Sequence, residues 1–235
     1  MMLYYNTVSK PLLEYLQKLM ANMAFNDFVI VGGTALSLQL GHRISVDIDL
    51  FTANDYDSIN LKDIKSALIT DFAYTERLES LNDRNIGYTV YIGNSKSEKI
   101  KLDLFYTEEF IAPILQQDGL RLASLQDIAG MKMQAIVSRK RKKDFWDIHQ
   151  LLETFTLEEL IQFGLQRNPY TLTKIDILNA LSTIIGFPEL DNDDSVICLK
   201  GNYWELIIED LQTIADTYKV TQSISSSAKR PASPD

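Results

Sequence analysis

The chain has 235 residues, a net charge of −9 and an isoelectric point near 4.8. An apolar share of 46% over that length provides a real core, in one large domain or two small ones. The acidic balance excludes a general nucleic-acid coat, which binds by neutralising phosphates, so any polynucleotide must meet a local basic patch. The one cysteine, Cys198, excludes an internal disulfide and fits a reducing compartment. The N-terminal MMLYYNTVSKPLL lacks a signal-peptide layout, and no apolar run approaches the roughly 18 residues of a membrane span. A cytoplasmic protein with no membrane partner is expected.

Leu12, Leu13, Leu16, Leu19 and Met20 recur at helical intervals and predict an amphipathic helix over residues 7–24, with Pro11 in its first turn. Phe28 to Val31 is a short apolar run of strand character, ended by Gly32 and Gly33. Thr34 to Leu40 returns to helical spacing, with Thr34 as the expected N-terminal cap and Gly41 as the stop. Val46 to Phe51 is a second strand on which acidic and apolar residues alternate. Residues two apart on a strand share a face, so Asp47 and Asp49 project together while Val46, Ile48 and Leu50 face the other way.

Two adjacent carboxylates repel, and a cation between them relieves the cost. Hard ions such as Mg²⁺ take oxygen ligands and combine a few carboxylates with substrate phosphates. The preceding glycines supply a complementary half, because backbone without Cβ approaches a phosphate closely and a helix N-terminus offers unpaired N–H groups. The plain alternative is an ordinary turn followed by a strand with surface aspartates.

Gly33-Thr34, then twelve residues, then Asp47-Ile48-Asp49-Leu50 resembles the signature of the DNA polymerase β-type nucleotidyltransferase superfamily. The fuller wording, GGTAL through LGHRISVDIDLF, resembles more narrowly the AbiEii/AbiGii toxin family of nucleotidyltransferases. The resemblance implies an NTP as substrate and two bound Mg²⁺ ions, with Mn²⁺ as the alternative. It also implies a third carboxylate from a strand beside the first two.

Residues 58–71 carry the next helical pattern, and Tyr74 to Leu78, Gly87 to Ile92 and Ile100 to Tyr106 read as strands. In KIKLDLFY, Asp103 lies between Leu102 and Leu104, so its side chain leaves the face that the leucines occupy. Its order and local pattern fit the third carboxylate, which would complete the metal site and help deprotonate an attacking hydroxyl. Beyond Thr107 the pattern predicts helices: one over Glu108 to Gln116, and one after Ser124 through LQDIAGMKMQAIVSR.

Lys132 falls on the buried stripe of that second helix. It either snorkels out of the interface or points into a cleft to meet a nucleotide phosphate, the preferred reading. Arg139 to Lys143 puts five cations in a row, the one concentrated positive patch of the sequence. Lys140 to Lys142 reads as a solvated loop, or as a hold on triphosphate or an RNA backbone. Asp144 and Asp147 stand where the dipole at the start of the following helix favours carboxylates. The segment KMQAIVSRKRKKDFWDI also resembles the AbiEii family, and the resemblance points to Lys132, Arg139, Lys143 and Asp144 as site residues.

Helical patterns follow at Leu157 to Leu165, Lys174 to Ile185 and Tyr203 to Tyr218, and residues 222–235 read as a disordered tail. The expected fold is α/β (α+β): a small mixed β-sheet core in residues 1–107, closed over by a helical part in 108–221. Gly32, Gly33 and Thr34 would hold phosphates, while Asp47, Asp49 and Asp103 hold metal. The expected reaction transfers an NMP to an acceptor hydroxyl, with RNA such as tRNA favoured. The resemblance further implies a toxin with a cognate antitoxin. A small-molecule nucleotidyltransferase of the aminoglycoside type and a non-catalytic nucleotide-binding protein are the competing readings.

Overall fold

The structure is a computed structural model that describes residues 2–82, 84–184 and 196–228. Helix α1, Lys10–Ala21, begins where Ser9 Oγ accepts from the Leu12 N–H, and buries Leu12, Leu16 and Leu19. The strand β1, Val29–Ile30, runs directly into α2, Gly32–Leu40, which Gly41 ends in the left-handed conformation at φ 68°. Strand β2, Ile48–Thr52, and helix α3, Leu61–Asp71, follow. Strands β3, Tyr74–Glu76, β4, Gly87–Gly93, and β5, Ile100–Tyr106, lie where the alternating sequence placed them.

The expected helix over Glu108 to Gln116 is absent. Strands β6, Leu115–Gln117, and β7, Leu120–Leu122, stand there as a hairpin instead. The cause is local: Asp118 and Gly119 both have positive φ, 52° and 79°, as a two-residue hairpin turn demands. Among the described residues the seven strands form one mixed sheet in the order β3-β4-β5-β2-β1-β7-β6. The pairs β2–β5 and β1–β7 are parallel and the remainder antiparallel.

Helices α4, Leu125–Ser138, α5, Lys142–Leu151, α6, Leu157–Arg167, and α7, Lys174–Ser182, come next. Ser124 caps α4, and Thr156 and Thr173 form capping boxes on α6 and α7. Helix α8, Trp204–Ala228, carries helical backbone through residues 222–228, the first half of the expected tail; residues 229–235 and Ile185 lie outside the described residues. One continuous core joins sheet and helices, from Leu16 and Ile30 through Leu104 and Ile136 to Phe145 and Ile207.

The sheet's alternation positions the site. On β2, Ile48, Leu50 and Thr52 are buried while Asp49 and Phe51 take the other face; on β5, Leu102 and Leu104 are buried while Lys101, Asp103 and Phe105 take it. Val46 precedes the strand and is 65% exposed, so it does not share the buried face of Ile48 and Leu50 as the alternation predicted.

Candidate active site

Asp49 and Asp103 are register partners on the parallel neighbours β2 and β5. Asp47 stands just before β2, held there by the Thr34 hydroxyl, which donates to the Asp47 carbonyl. These carboxylates floor a cleft of roughly 350 Å³ between the sheet and α4, with α5 contributing Lys143. In a chain of net charge −9, seven cationic side chains line this cleft against four carboxylates. Local charge therefore suits a polyanion.

The glycine turn is shaped by the protein's own side chains. Gly32 has φ +65°, and a Cβ there would stand 2.4 Å from Asp49 Oδ2; a Cβ on Gly33 would stand 2.4 Å from Arg43 Nη2. The turn thus brings the start of α2 onto Asp49, with first-turn N–H groups that have no intrahelical acceptor. Thr34 does not cap α2 and does not line the cleft. Val31 is the N-cap residue, and the buried Thr34 hydroxyl is used on Asp47 and Ser45.

Burial, then the charges of Asp103 and Asp47, push the Asp49 carboxyl up to about 6, against the pull of Lys132 and Lys101. Asp103 is the more firmly held: Thr89 Oγ1 donates to it at 2.6 Å, and Lys101 Nζ pairs with its other oxygen. Lys143 Nζ lies 3.6 Å from Asp47. An oxygen-only donor set, in which Asp103 and Asp47 raise the proton affinity of Asp49, fits a hard divalent cation in chemistry. In position the carboxylates are held by lysines: among the described residues, no group of three or more His, Cys, Asp or Glu side chains converges to hold an ion as it stands.

Lys132 departs from the preferred reading. It is buried and lines the cleft, yet its Nζ lies 2.7 Å from Asp144 and 2.6 Å from Asp147. Asp144 also accepts from Arg139 Nε at 2.9 Å, and Asp147 accepts from Arg43 through Nε at 2.6 Å and Nη2 at 2.8 Å. His42 Nε2 completes the group, 2.7 Å from Asp147. Burial pushes the Asp147 carboxyl up, but Arg43 and Lys132 outweigh it and hold the group well below the carboxylate range. Burial lowers the His42 imidazole despite its carboxylate partner. Lys132 and Asp144 are therefore parts of a buried lattice that ties α4 and α5 to the segment before β2. Arg139, Arg141 and Lys143 are the cations that this region presents to the cleft. Lys142, expected in a solvated loop, is buried in α5 with its Nζ 5.3 Å from the Trp204 ring.

Sequence reasoning missed Arg43, Lys101, Arg167 and Asn168, all of which line the cleft. Lys101 was legible, since it precedes Asp103 by two on one strand. Arg167 was not. It arrives from α6 to bind Asp127 at 2.5 Å and Thr107 Oγ1 at 2.6 Å, a contact between distant elements.

The description "Nucleotidyl transferase AbiEii toxin, Type IV TA system" matches residues 14–182. The chain belongs to the AbiEii nucleotidyltransferase family. It is 33% identical over 147 residues to an uncharacterised protein of Aquifex aeolicus, a match covering 59% of this chain and 64% of that one. In fold it is similar to JHP933 from Helicobacter pylori, with a TM-score of 0.53 and 20% identity over 94% of this chain and 100% of that chain. It is also similar to MenT4, a nucleotidyltransferase toxin from Mycobacterium tuberculosis, with a TM-score of 0.53 and 12% identity over 87% and 83% of the two chains. Among the described residues no helix is long and apolar enough to cross a membrane.

Proposed function

We propose that this AbiEii-family protein moves an NMP from an NTP to an acceptor hydroxyl, with RNA such as tRNA as the favoured acceptor. The observation that carries the reading is the register pair Asp49–Asp103 set beside the start of α2. The triphosphate lies over Gly32 and Gly33, whose N–H groups and helix dipole favour anions, with Lys143 and Arg139 neutralising its charge and Arg141 left for the acceptor. Asp47, Asp49 and Asp103 would hold Mg²⁺ or Mn²⁺; when bound, a pair of such ions supplies charge neutralisation at the reacting phosphate and the leaving group.

Asp103, oriented by Thr89, takes the proton of the acceptor hydroxyl as its oxygen attacks the α-phosphorus in line. The bond from the α-phosphorus to the bridging oxygen breaks, and its electron pair leaves with pyrophosphate. The buried Lys132–Asp147–Arg43 lattice fixes the relation of α4 and α5 to the Asp47 segment, so it positions rather than reacts. The family description supports a toxin's role opposed by a cognate antitoxin.

The test supplies α-labelled NTPs with total RNA, or with the small-molecule fraction of a lysate, using Asp49→Asn as the blank. Label on RNA that Asp49→Asn abolishes is expected. Label only in the small-molecule fraction gives the aminoglycoside-type reading, and label in neither gives the non-catalytic one.

A further inference from the structure

The sheet face that carries the carboxylates continues into aromatic rings. Asp49↔Asp103 and Phe51↔Phe105 are alternate register pairs on β2 and β5, with Leu50↔Leu104 between them on the opposite face. The two rings have centroids 5.6 Å apart and are tilted by 47°. Phe105 lies over Gly87 of β4, where an added Cβ would come within 2.1 Å of the ring, so the glycine is what lets that ring lie on the sheet. Phe51 remains half-buried and lines the cleft.

Phe51 has a definite place relative to the phosphate end. The Val31 N–H donates to the Asp49 carbonyl, and Val29 pairs with Phe51. The glycine turn is therefore level with Asp49, and Phe51 lies two residues beyond it, about 7 Å along the strand. That is the room one ribose occupies. Beyond Phe51 the β2–β5 pairing continues, the Thr107 N–H donating to the Thr52 carbonyl at 2.8 Å, and Thr107 and the Arg167 that holds its hydroxyl line the cleft there. A polar group beside the cleft favours a ligand that carries donors over phosphate alone. Gln134 lines the cleft, and its Oε1 is buried with no hydrogen-bond partner. Ionised phosphate has no donor to give it, whereas a nucleoside has hydroxyls and amines.

We propose that Phe51 is the stacking face for the base of the bound nucleotide, with Phe105 over Gly87 as its backing. The proposal rests on the nucleotidyltransferase reading and adds to it the residue that receives the base. Base–aromatic stacking tolerates all bases because each has a π-face, so Phe51 contributes affinity for nucleosides in general, and selection among them falls to polar groups.

The test compares the full chain with its Phe51→Leu and Phe51→Trp variants in titration calorimetry, using each NTP and inorganic tripolyphosphate with Mg²⁺. Phe51→Leu is expected to weaken every NTP by about 5–150-fold, the range of one stacked base. It should leave tripolyphosphate affinity unchanged, and Phe51→Trp should keep NTP affinity. Unchanged NTP affinity in Phe51→Leu overturns the proposal, and if RNA labelling falls at the same time the acceptor's base stacks there instead. Equal loss of NTP and tripolyphosphate also overturns it, reducing Phe51 to packing of the cleft floor. A wild-type chain that binds neither compound refutes the nucleotidyltransferase reading itself, a result distinct from all of these.

Discussion

Lys132 Nζ lies 2.6 Å from Asp147 Oδ2, and both side chains are buried. Arg43 binds the same carboxylate through two nitrogens, so two buried cations depend on one anion. Removing one partner of a buried pair leaves an uncompensated charge, a loss of about 3–5 kcal/mol. Asp147→Asn should therefore destabilise the protein on that scale in urea denaturation. Lys132→Met should also cost stability, although Asp144 retains Arg139 and Asp147 retains Arg43. A Lys132→Met variant of native stability and much weaker nucleotide binding would restore Lys132 as a direct phosphate ligand.

Asp49 gives a pH signature. Its folded carboxyl lies at about 6 against an ordinary 3.8, so between those values the folded state holds a proton that the unfolded state has released. Stability from this group is complete below 3.8, falls as pH rises towards 6, and stays reduced above it. Asp49→Asn removes the penalty. Its stability relative to wild type should grow across that window to something on the order of 3 kcal/mol at pH 8. A difference that is flat with pH would show that Asp49 is ionised without cost.

Gly32 is strained for any other residue. Ala at φ +65° costs about 1–2 kcal/mol, and its Cβ would displace the Asp49 carboxylate that sits 2.4 Å away. Gly32→Ala should lose far more transfer activity than stability, measured as label transfer alongside a thermal melt. A fully active Gly32→Ala would separate the turn from the chemistry.

The basic run divides into unlike parts. Arg141 is exposed and lines the cleft, whereas Lys142 is buried against Trp204. Arg141→Gln should weaken RNA labelling and flatten its salt dependence, by roughly 0.7 in log–log slope per contact for a single strand. Lys142→Gln should instead lower stability through the lost stem packing and cation–π contact. RNA labelling that ignores both salt and Arg141→Gln would place the acceptor elsewhere.

How much of this was legible depended on the range of the forces involved. The strand–turn–helix–strand order around Gly32 and Asp49 follows from local spacing, and so does the exit of Asp103 from the leucine face of β5. The caps at Ser124, Thr156 and Thr173 are local too. The hairpin at Asp118-Gly119 was equally local, but apolar residues at helix-like intervals masked its turn. The fate of Lys132 was out of reach, because periodicity places a residue on a stripe without naming what stands opposite. Asp144 and Asp147 come from α5 and Arg43 from the segment before β2, and their meeting is tertiary. Arg167, the last residue of α6, and Asn168 just beyond it reach the cleft for the same reason.

The central claim is that the α-phosphoryl group, carrying its nucleoside, leaves the NTP for an acceptor hydroxyl at the Asp49–Asp103 pair. Parallel reactions with α-labelled and γ-labelled NTP, each with RNA and a divalent cation, test it most directly. The account predicts acceptor-bound label from the α-labelled nucleotide alone, γ-label released as pyrophosphate, and neither in Asp49→Asn. Acceptor-bound label from the γ-labelled nucleotide, or transfer that survives Asp49→Asn, would contradict it.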